Sequence, residues 1–431
     1  MRKYLLCLVL IITVFTACKK EDDPVFDQSP DARITATLNK YQQELVKAPY
    51  GWKGLIFPKG LPRSVFGFYF KFNDANRVSM FSDFNAGTSA TLKESSYRLK
   101  ALQQPCLLFD TYSYVHLLSD PDAGVNGGAY GSGLSSDFEF SLDSISGDTI
   151  KLTGRFKKCE AYLVKATQQE QADYISLQRN RDFDHITDFI TYWKRLTAGG
   201  KQYDIIINKP GHFIMFIWLD EDGVRHEFVT GFYYTPKGVA FAPALTDGQQ
   251  TIAGIENISW DPANQVIKGT ANGENVTITG FTKPLAPEKE GPRRWWEQGK
   301  SLSSWVSAYG FHSNGVEDAF GIGNLPGYYL LSFWPQNNGD PLDLLAFGTV
   351  VDNEFDWRYG YGFRAPTFTT DGKVTFSYYG DFGEFPADQT PTTRTRLQLT
   401  DASGYYLVQI APLAWDMVSA KDGKTWITWF K

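Results

Sequence analysis

Short catalytic signatures are missing from this sequence of 431 residues. It contains no His-Glu-x-x-His zinc motif, no Gly-x-x-x-x-Gly-Lys phosphate loop and no Gly-x-Ser-x-Gly nucleophile elbow. Histidine is scarce: there are five, at positions 116, 185, 212, 226 and 312, and none has the spacing of a metal-ligand pair. These absences favour a non-enzymatic protein. Glycoside hydrolases carry no short signature, so a hydrolase remains an open alternative.

Positive charge and long apolar runs are also lacking. The chain has 42 Lys and Arg against 48 Asp and Glu, a formal charge of −6. An acidic chain does not bind nucleic acid through its net charge. The apolar run over residues 4–15 is shorter than the roughly 20 residues that a membrane-spanning helix needs.

The amino terminus has the parts of a secretory signal. Arg2 and Lys3 precede the apolar run, which ends in Thr16-Ala17-Cys18. This arrangement resembles a bacterial lipobox, in which the cysteine is acylated and becomes the mature amino terminus. We therefore predict that residues 1–17 are a signal peptide and that Cys18 carries lipid. Two or more acyl chains of the palmitate type hold a protein firmly at a membrane.

A charged tether follows over residues 18–28. The run Lys19-Lys20-Glu21-Asp22-Asp23 is typical of a solvated spacer. It is also similar to the surface-export signal of Bacteroidota lipoproteins. The predicted location is the outer membrane, lipid-anchored, with exposure at the cell surface favoured over a periplasm-facing anchor.

Glycine, proline and aromatic residues are abundant. The sequence has 39 Gly, 21 Pro and an aromatic content of 16%, which is typical of many short strands joined by tight turns. We predict a mostly β (α+β) fold of tandem antiparallel β-sheet or sandwich-like units, each with an amphipathic helix near its start.

The order of elements suggests a duplicated unit. In the first copy a helix begins at Ser29-Pro30, and strands follow over Trp52–Phe57 and Phe66–Phe72. In the second copy a helix is predicted from Ile186, Phe189, Ile190 and Trp193, closed by Gly199-Gly200. Strands and an Asp222-Gly223 hairpin come next. A fainter third copy begins near residue 328.

Two connectors divide the chain. Residues 166–182 suit a polar helix, and residues 283–294 have the proline and charge of an exposed linker. The predicted units are residues 29–165, residues 166–283 with the connecting helix, and residues 284–431 with the linker. Cys106 and Cys159 remain after the signal peptide is removed. They could form a disulfide, but their strand-like context favours buried thiols.

Several motifs resemble a Bacteroidota lipoprotein family catalogued as "domain of unknown function 4302". The motifs are Phe26-Asp27-Gln28-Ser29-Pro30 with Arg33, Ala48-Pro49-Tyr50-Gly51-Trp52, Phe70-Lys71-Phe72, Glu94-Ser95-Ser96-Tyr97, Leu108-Phe109-Asp110-Thr111-Tyr112, His116, Asp120-Pro121-Asp122 and Asp137-Phe138-Glu139-Phe140. Genes of this family typically lie beside TonB-dependent transporters, SusD-like lipoproteins and zinc-binding metallopeptidases. The resemblance implies a role in nutrient capture at the surface. It supplies no functional residue.

One group of acidic residues is a candidate metal site. Asp120, Asp122 and Asp137, with His116 and Glu139, bracket a glycine-rich loop over residues 124–133. Such a loop could supply oxygen ligands to Ca²⁺, and the acids could also act as a general acid and base. The simpler interpretation, which we favour, is turn chemistry and a charged strand face, with no cofactor.

The second candidate is aromatic. Eight of the twelve tryptophans follow residue 294, and residues 356–364 interleave aromatics with Gly and Arg. Exposed flat rings suit stacking on sugars or a protein interface. The predicted ligand-binding residues are Trp357, Arg358, Tyr359, Tyr361 and Arg364. The alternating Tyr359, Tyr361 and Phe363 equally fit one buried face of a strand, and this interpretation is favoured.

Three functions follow from these features. The preferred one is a non-enzymatic binding accessory of an outer-membrane nutrient-uptake system, with a glycan or peptide ligand and a TonB-dependent transporter or SusD-like lipoprotein as partners. A hydrolase using paired carboxylates such as Asp120 and Asp137 is the second. An architectural or adhesive surface module is the third.

Overall fold

The computed structural model describes residues 29–61, 63–176 and 181–431. The predicted signal peptide, the Cys18 lipidation site and the tether therefore lie outside the described residues. Strands account for 47% and helices for 18% of the described residues, so the predicted mostly β class is confirmed. Among the described residues, no helix combines the length and the apolar character needed to cross a membrane.

The first unit is a closed barrel of eight antiparallel strands. Its strands are β1 Trp52–Phe57, β2 Phe66–Phe72, β3 Arg77–Ser82, β4 Lys93–Ala101, β5 Pro105–Phe109, β6 Glu139–Ser146, β7 Thr149–Gly154 and β8 Glu160–Lys165. The helices of this region are α1 Pro30–Lys47, α2 Ala86–Ala90, α3 Tyr114–Leu117, α4 Ala123–Asn126 and, after the barrel, α5 Gln168–Ile175. The polar helix predicted within residues 166–182 is thus present as α5.

Helix α1 begins and packs as its sequence indicates. The Ser29 hydroxyl accepts a hydrogen bond from the Ala32 amide at 3.2 Å, and Pro30 occupies the first turn, where its missing N–H costs nothing. Tyr41 and Leu45 from this helix lie in the barrel core. The Trp52 indole donates to the Leu45 carbonyl at 3.0 Å, which fixes the helix end against β1.

The second unit is also a closed eight-stranded barrel, in which β9 pairs with both β10 and β16. A 3-10 helix, Asp182–Thr187, precedes it. The strands are β9 Trp193–Ala198, β10 Lys201–Asn208, β11 Phe213–Leu219, β12 Arg225–Thr235, β13 Gly238–Thr246, β14 Thr251–Asp261, β15 Val266–Ala271 and β16 Glu274–Phe281. The hairpin predicted at Asp222-Gly223 joins β11 to β12.

The amphipathic helix predicted from Ile186 to Trp193 is wrong. Only the 3-10 turn is helical, and Trp193 opens a strand whose burial alternates almost regularly. Gly199 and Gly200, predicted to end that helix, instead form the two-residue turn between β9 and β10, with φ values of 56° and 76°. Successive residues with positive φ are what a tight hairpin turn requires.

The third unit is a nine-stranded antiparallel sheet with two weak seams. Its elements are α6 Gly291–Ser301, β17 Trp305–Ser307, β18 His312–Ser313, β19 Tyr328–Trp334, β20 Leu342–Val351, β21 Glu354–Phe368, β22 Val374–Gly383, α7 Thr390–Leu399, β23 Tyr405–Ala411, β24 Ala414–Ser419 and β25 Thr425–Phe430, with 3-10 turns at Ile322–Asn324 and Asn337–Gly339. A single pair, Val374↔Tyr405, joins β22 to β23, and another, Val306↔Phe430, joins β17 to β25.

The segment predicted to be an exposed linker does join the second and third units, but only part of it is exposed, because several of its residues are held against the protein. Pro292 opens helix α6, whose Trp295 and Trp296 are buried in the third core. Upstream, Arg195 donates to the Lys283 carbonyl at 3.3 Å, and Arg225 donates to the Ala286 carbonyl at 3.0 Å. The amide between them, that of Leu285, donates to the buried Asp204 carboxylate.

Buried polar contacts join the three units. Between the barrels, the Asp83 carboxylate accepts from the amides of Gly67 and Tyr234, each at 2.9 Å. The His212 ring stacks on Phe66 beside this carboxylate, with 4.3 Å between ring centroids. Between the second and third units, the Tyr192 hydroxyl donates to Asp416 at 2.8 Å inside a cluster of buried rings and aliphatic side chains.

Cys106 and Cys159 are free thiols, and both are buried. Burial, reinforced by the neighbouring Asp137 carboxylate, raises the pKa of the Cys159 thiol to about 12. A thiol in such an environment is chemically inert at neutral pH.

Candidate functional site

The acidic residues of the glycine-rich loop hold turns. Asp120 accepts from the Asp122 amide at 3.0 Å and from the Tyr112 hydroxyl, and these bonds lower the pKa of its carboxyl. Asp122 caps the short helix α4 by accepting from the Gly124 amide at 2.8 Å. Both carboxylates therefore accept hydrogen bonds from nearby groups, the turn amides of Asp122 and Gly124 and the Tyr112 hydroxyl.

Asp137 has a structural role in the first barrel. Its carboxylate is buried and accepts from the amides of Phe156 and Lys157 at 2.8 and 3.0 Å. A Cβ on Gly154 would lie 1.9 Å from the same carboxylate, so only glycine fits there. This carboxylate fixes the chain reversal between β7 and β8.

His116 and Glu139 have structural partners as well. The His116 ring stacks against Phe138 at 4.5 Å, and burial lowers its pKa. Glu139 forms an ion pair with Arg155. Across the described residues, no three His, Cys, Asp or Glu side chains converge as a metal site, so the predicted calcium ligands are not brought together.

The aromatic strand β21 divides between core and surface. Tyr359 and Tyr361 are buried in the third core together with Phe363, so their prediction as ligand-binding residues is corrected. Gly360 and Gly362, the glycines between them, are buried as well. A Cβ on Gly360 would lie 2.6 Å from the Phe382 ring, which shows how closely that ring covers the strand.

A β-bulge separates Trp357 from these core residues. Tyr359 pairs with Phe347 and Trp357 pairs with the next residue, Gly348, so one residue of β21 is unmatched. Strict alternation from Tyr359 would place Trp357 on the inward face. Because of the bulge, Trp357 lies on the other face. Its ring packs against Trp334 instead, with centroids 5.1 Å apart.

Four rings form an aromatic patch on the third unit: Tyr329, Trp334, Phe355 and Trp357. They meet edge to face, with centroid distances of 5.8 Å for Tyr329–Phe355 and 4.9 Å for Phe355–Trp357. Tyr329 is 62% exposed and Phe355 is 45% exposed. Gly348 lies beneath, where a Cβ would come within 2.8 Å of Phe355 and 3.0 Å of Trp357.

The two predicted arginines lie at the surface. Arg358 is exposed and forms a loose contact with Asp356, with Nε and Oδ2 3.9 Å apart. Arg364 is exposed as well, and its guanidinium stands 5.1 Å from the centre of the Tyr379 ring. The sequence reasoning found Trp357 and missed Tyr329, Trp334 and Phe355, whose neighbourhood depends on strand pairing.

A cavity of about 440 Å³ lies between the second and third units. Its charged lining residues are already paired: Arg225 with Glu227, Arg294 with Glu288 at 2.7 Å, and Asp204 with Arg195 at 2.6 Å. The raised pKa of Asp204, caused by its burial, is opposed by that arginine. These groups have the geometry of structural ion pairs that hold the linker.

The fold and its surface describe a tandem β-barrel protein with an exposed aromatic patch. The profile of the family described as Domain of unknown function (DUF4302) matches residues 22–261, more than half of the chain, and the chain belongs to this family. The match spans the first barrel and the second as far as β14. No curated protein matches the sequence.

Similar solved structures share little with the chain. The isotype 1 transferrin binding protein B of serogroup B Neisseria meningitidis is 9% identical with a TM-score of 0.16; the alignment covers 82% of this chain and 64% of that one, less than two thirds of its length. A Bacillus subtilis DNA polymerase sliding clamp is 6% identical with a TM-score of 0.14, covering 92% and 96%. A DUF3598 protein of unknown function from Nostoc punctiforme is 11% identical with a TM-score of 0.14, covering 73% and 95%.

Proposed function

We propose that this protein is a lipid-anchored, non-enzymatic binding protein of the outer cell surface that serves a nutrient-uptake system. Cys18 carries the anchor, and the partners are a TonB-dependent transporter and a SusD-like lipoprotein. The ligand, a glycan or a peptide, contacts the aromatic patch. The exposure of that patch is the single observation that carries the proposal.

The patch has the properties of a binding surface. Aromatic rings supply a large contact area with few rotatable bonds, and exposed ones favour sugar faces or apolar side chains. The edge-to-face packing of Trp357 between Trp334 and Phe355 holds the rings in place before a ligand arrives. A surface ordered in advance loses less conformational entropy on binding.

The hydrolase alternative lacks a comparable observation. Asp137 is buried and accepts two backbone amides, while Asp120 accepts the Tyr112 hydroxyl and a turn amide. A general acid or base must reach the proton that it transfers, and these carboxylates already accept hydrogen bonds from other groups of the protein. The binding role is therefore preferred.

The test of the patch uses the protein without its anchor, residues 24–431, on a glycan array and in pull-down of solubilised outer-membrane transporters. Trp357→Ala and Phe355→Ala are expected to weaken binding of any captured ligand by roughly tenfold or more, since central aromatic anchors dominate such interfaces. Tyr130→Ala, an exposed ring on the first unit, is the matched control and should leave binding unchanged. Binding that resists both patch substitutions would remove the patch from the proposal.

The anchor has its own test. A Cys18→Ala form should no longer incorporate labelled palmitate and should leave the envelope fraction, while protease added to intact cells should digest the parent protein. Retention of lipid by the variant, or protection of the parent from protease, would contradict the proposed location.

A further inference from the structure

A small cavity of about 90 Å³ lies where the second barrel meets the third unit. The ladder between β9 and β10 ends at Lys194↔Ile205, whereas β10 continues to Asn208, so the two strands separate there. The cavity borders this opening and is bounded on the other side by Ile410 of β23 and Asp416 of β24. It is separate from the aromatic patch, since none of the four patch residues lines it.

A lysine lines the cavity. The Lys194 side chain is only partly exposed, and its Nζ lies 5.8 Å from the centre of the Tyr192 ring. Within the described part of the chain, no carboxylate or carbonyl comes close enough to this Nζ for an ion pair or a hydrogen bond. By contrast, Nζ of Lys201, on the neighbouring strand, lies 2.7 Å from the Asp247 carboxylate. The Lys194 amine is therefore available to a ligand in the cavity.

The charge on this amine depends on two neighbours. Burial lowers the pKa of the Lys194 ammonium to about 8, although the Asp416 carboxylate attracts this cation. A fraction of neutral, nucleophilic amine is therefore present near neutral pH. Asp416 and Tyr192 are the other titratable groups among the described lining residues. The Asp416 carboxylate is fixed, since the hydroxyls of Tyr192 and Thr428 donate to it at 2.8 and 2.6 Å.

The other walls of the cavity are mainly apolar. They are formed by aliphatic, thioether and aromatic side chains: Ile205, Ile206, Ile207, Phe213, Met215 and Ile410. An apolar cavity of about 150 Å³ binds benzene, so the smaller volume here suits roughly three or four non-hydrogen atoms. A ligand that fits beside the amine is therefore short and apolar.

We propose that Lys194 binds a short aliphatic aldehyde in this cavity as a Schiff base. The Nζ lone pair attacks the carbonyl carbon, and the carbonyl oxygen takes up the proton that the nitrogen loses, which gives a carbinolamine. Loss of water then forms the C=N bond, so the step consumes neither an oxidant nor a reductant. The protonated imine keeps the positive charge that Asp416 attracts. Desolvated lysines are the ones that form such adducts with carbonyl compounds.

The experiment exposes the protein without its anchor, residues 24–431, briefly to propanal and then traps imines with sodium borohydride. Peptide mapping by mass spectrometry should find N-propyl-lysine at position 194 at least about tenfold sooner than at Lys237, an exposed lysine of the same barrel. Benzaldehyde is larger than the cavity and should show no such preference. Equal labelling of both lysines by propanal, or the same preference with benzaldehyde, would overturn the inference.

Trace acetylation with acetic anhydride measures how the neutral fraction of the amine depends on pH. The rate at Lys194 should rise with pH and reach half of its maximum near pH 8, because only the neutral amine is nucleophilic. An ordinary exposed lysine gains reactivity up to about pH 10. A midpoint at Lys194 as high as that of an ordinary lysine would contradict the proposal.

One variant identifies the amine. Lys194→Met removes the amine and keeps an unbranched, apolar side chain in the wall of the cavity. Intact-mass spectra after the propanal pulse should show one fast adduct on the parent and none on this variant. Lys237→Arg is the matched control and should keep the fast adduct. A fast adduct that persists in Lys194→Met, at the parent melting temperature, would place the reactive amine elsewhere and end the inference.

A last pair of variants tests the cavity itself. Met215→Trp enlarges a lining side chain and should slow N-propyl labelling of Lys194 by about tenfold or more, because the apolar part of the aldehyde no longer fits. Met215→Leu conserves the volume and should label as the parent does. Unchanged labelling in Met215→Trp, with the parent midpoint for acetylation, would show that the aldehyde is bound outside the cavity.

Discussion

The first barrel and the third unit differ in how completely their strands pair into a closed sheet. In the first, β1 pairs with β8 along its whole length, from Trp52↔Lys165 to Phe57↔Glu160. In the third, single residue pairs close the sheet at β22–β23 and at β17–β25. Full closure removes sheet edges, whereas an incomplete ring leaves backbone groups to be covered by something else. The loosely closed unit is the one with the aromatic patch.

Helix α6 covers one of these incomplete edges. Gly291 lies against the Leu407 carbonyl, Arg294 contacts Gln409 at 3.3 Å, and Gln298 donates to the Pro412 carbonyl at 2.9 Å. The opposite side of the helix buries Trp295 in the core. In the first unit, α1 packs on a barrel that is already closed. Helix α6 therefore matters more for the third sheet than helix α1 does for the first barrel.

The largest expected effect tests that difference with two matched tryptophans. Trp52→Ala and Trp295→Ala each remove a fully buried indole and should cost about 3–5 kcal/mol of unfolding free energy. Only Trp295→Ala should also speed hydrogen exchange at β23, because α6 would no longer hold that edge. Urea unfolding gives the first quantity and exchange mass spectrometry the second. Equal exchange at β23 in both variants would break the comparison.

The next effect concerns the first barrel alone. Asp137→Ala leaves the buried amides of Phe156 and Lys157 without an acceptor and should lower the free energy of unfolding by about 3 kcal/mol. Asp137→Asn should lower it by a smaller amount. Burial and the Asp137 carboxylate together raise the pKa of the Cys159 thiol to about 12. Thiol reagents should therefore react faster with Cys159 in Asp137→Ala than in the parent protein. Asp120→Asn, at a surface turn, should change the urea midpoint far less than Asp137→Ala does. A loss as large in Asp120→Asn would show that the loop is more than a turn.

A pH series should separate the third unit from the first. Burial raises the pKa of Asp343 to about 6, although Trp296 and the Gln336 amide each donate to its carboxylate at 2.9 Å. The folded state then holds a proton that the unfolded state releases. The contribution of Asp343 to stability is therefore largest below pH 4 and falls, by an amount on the order of 3 kcal/mol, as pH rises from the unfolded-state pKa through the folded-state pKa of about 6.

The measurement for Asp343 is the pH dependence of the urea midpoint in the parent and in Asp343→Asn. The difference between the two curves isolates this carboxyl from Asp204 and Asp416, whose pKa values burial also raises. Parallel curves from pH 4 to 7 would show that Asp343 is not the titrating group.

The smallest expected effect tests whether Gly200 in the second barrel lies in a hairpin turn or at the end of a helix. A Cβ on Gly200 would meet nothing within 4 Å, so Gly200→Ala costs only the strain of its φ of 76°, about 1 kcal/mol. Within a helix the same change would stabilise by about 0.5–1 kcal/mol. Thermal unfolding gives the sign, and a raised melting temperature would contradict the turn.

Sequence patterns predicted the elements whose signals are local. The bounds of β1 and β2 follow from their alternating apolar residues and from the turns beside them. The pattern around Trp193 failed because four apolar residues at helical spacing also fit a buried 3-10 turn followed by a strand. The partial burial of the linker over residues 283–294 was not predicted because its arginine and carboxylate partners come from distant strands.

The candidate site was harder to predict for the same reason. The alternation of Tyr359 and Tyr361 indicated a buried face, which the structure bears out. The position of Trp357 depends on a bulge that arises only when β21 pairs with β20. Tyr329 on β19 and Phe355 on β21 become neighbours across β20, which pairs with both strands. No spacing within the sequence relates these two residues.

The carboxylate that Asp83 shares between two barrels has a consequence for heredity. Neither barrel could be recombined into another protein without exposing the Phe66–His212 stack to water and taking the acceptor from the Tyr234 amide. We therefore expect the two barrels to be expressed in folded form only as one block, and fragments cut near residue 180 to be recovered as aggregates. The Asp83 carboxylate thus ties the stability of each barrel to the presence of the other.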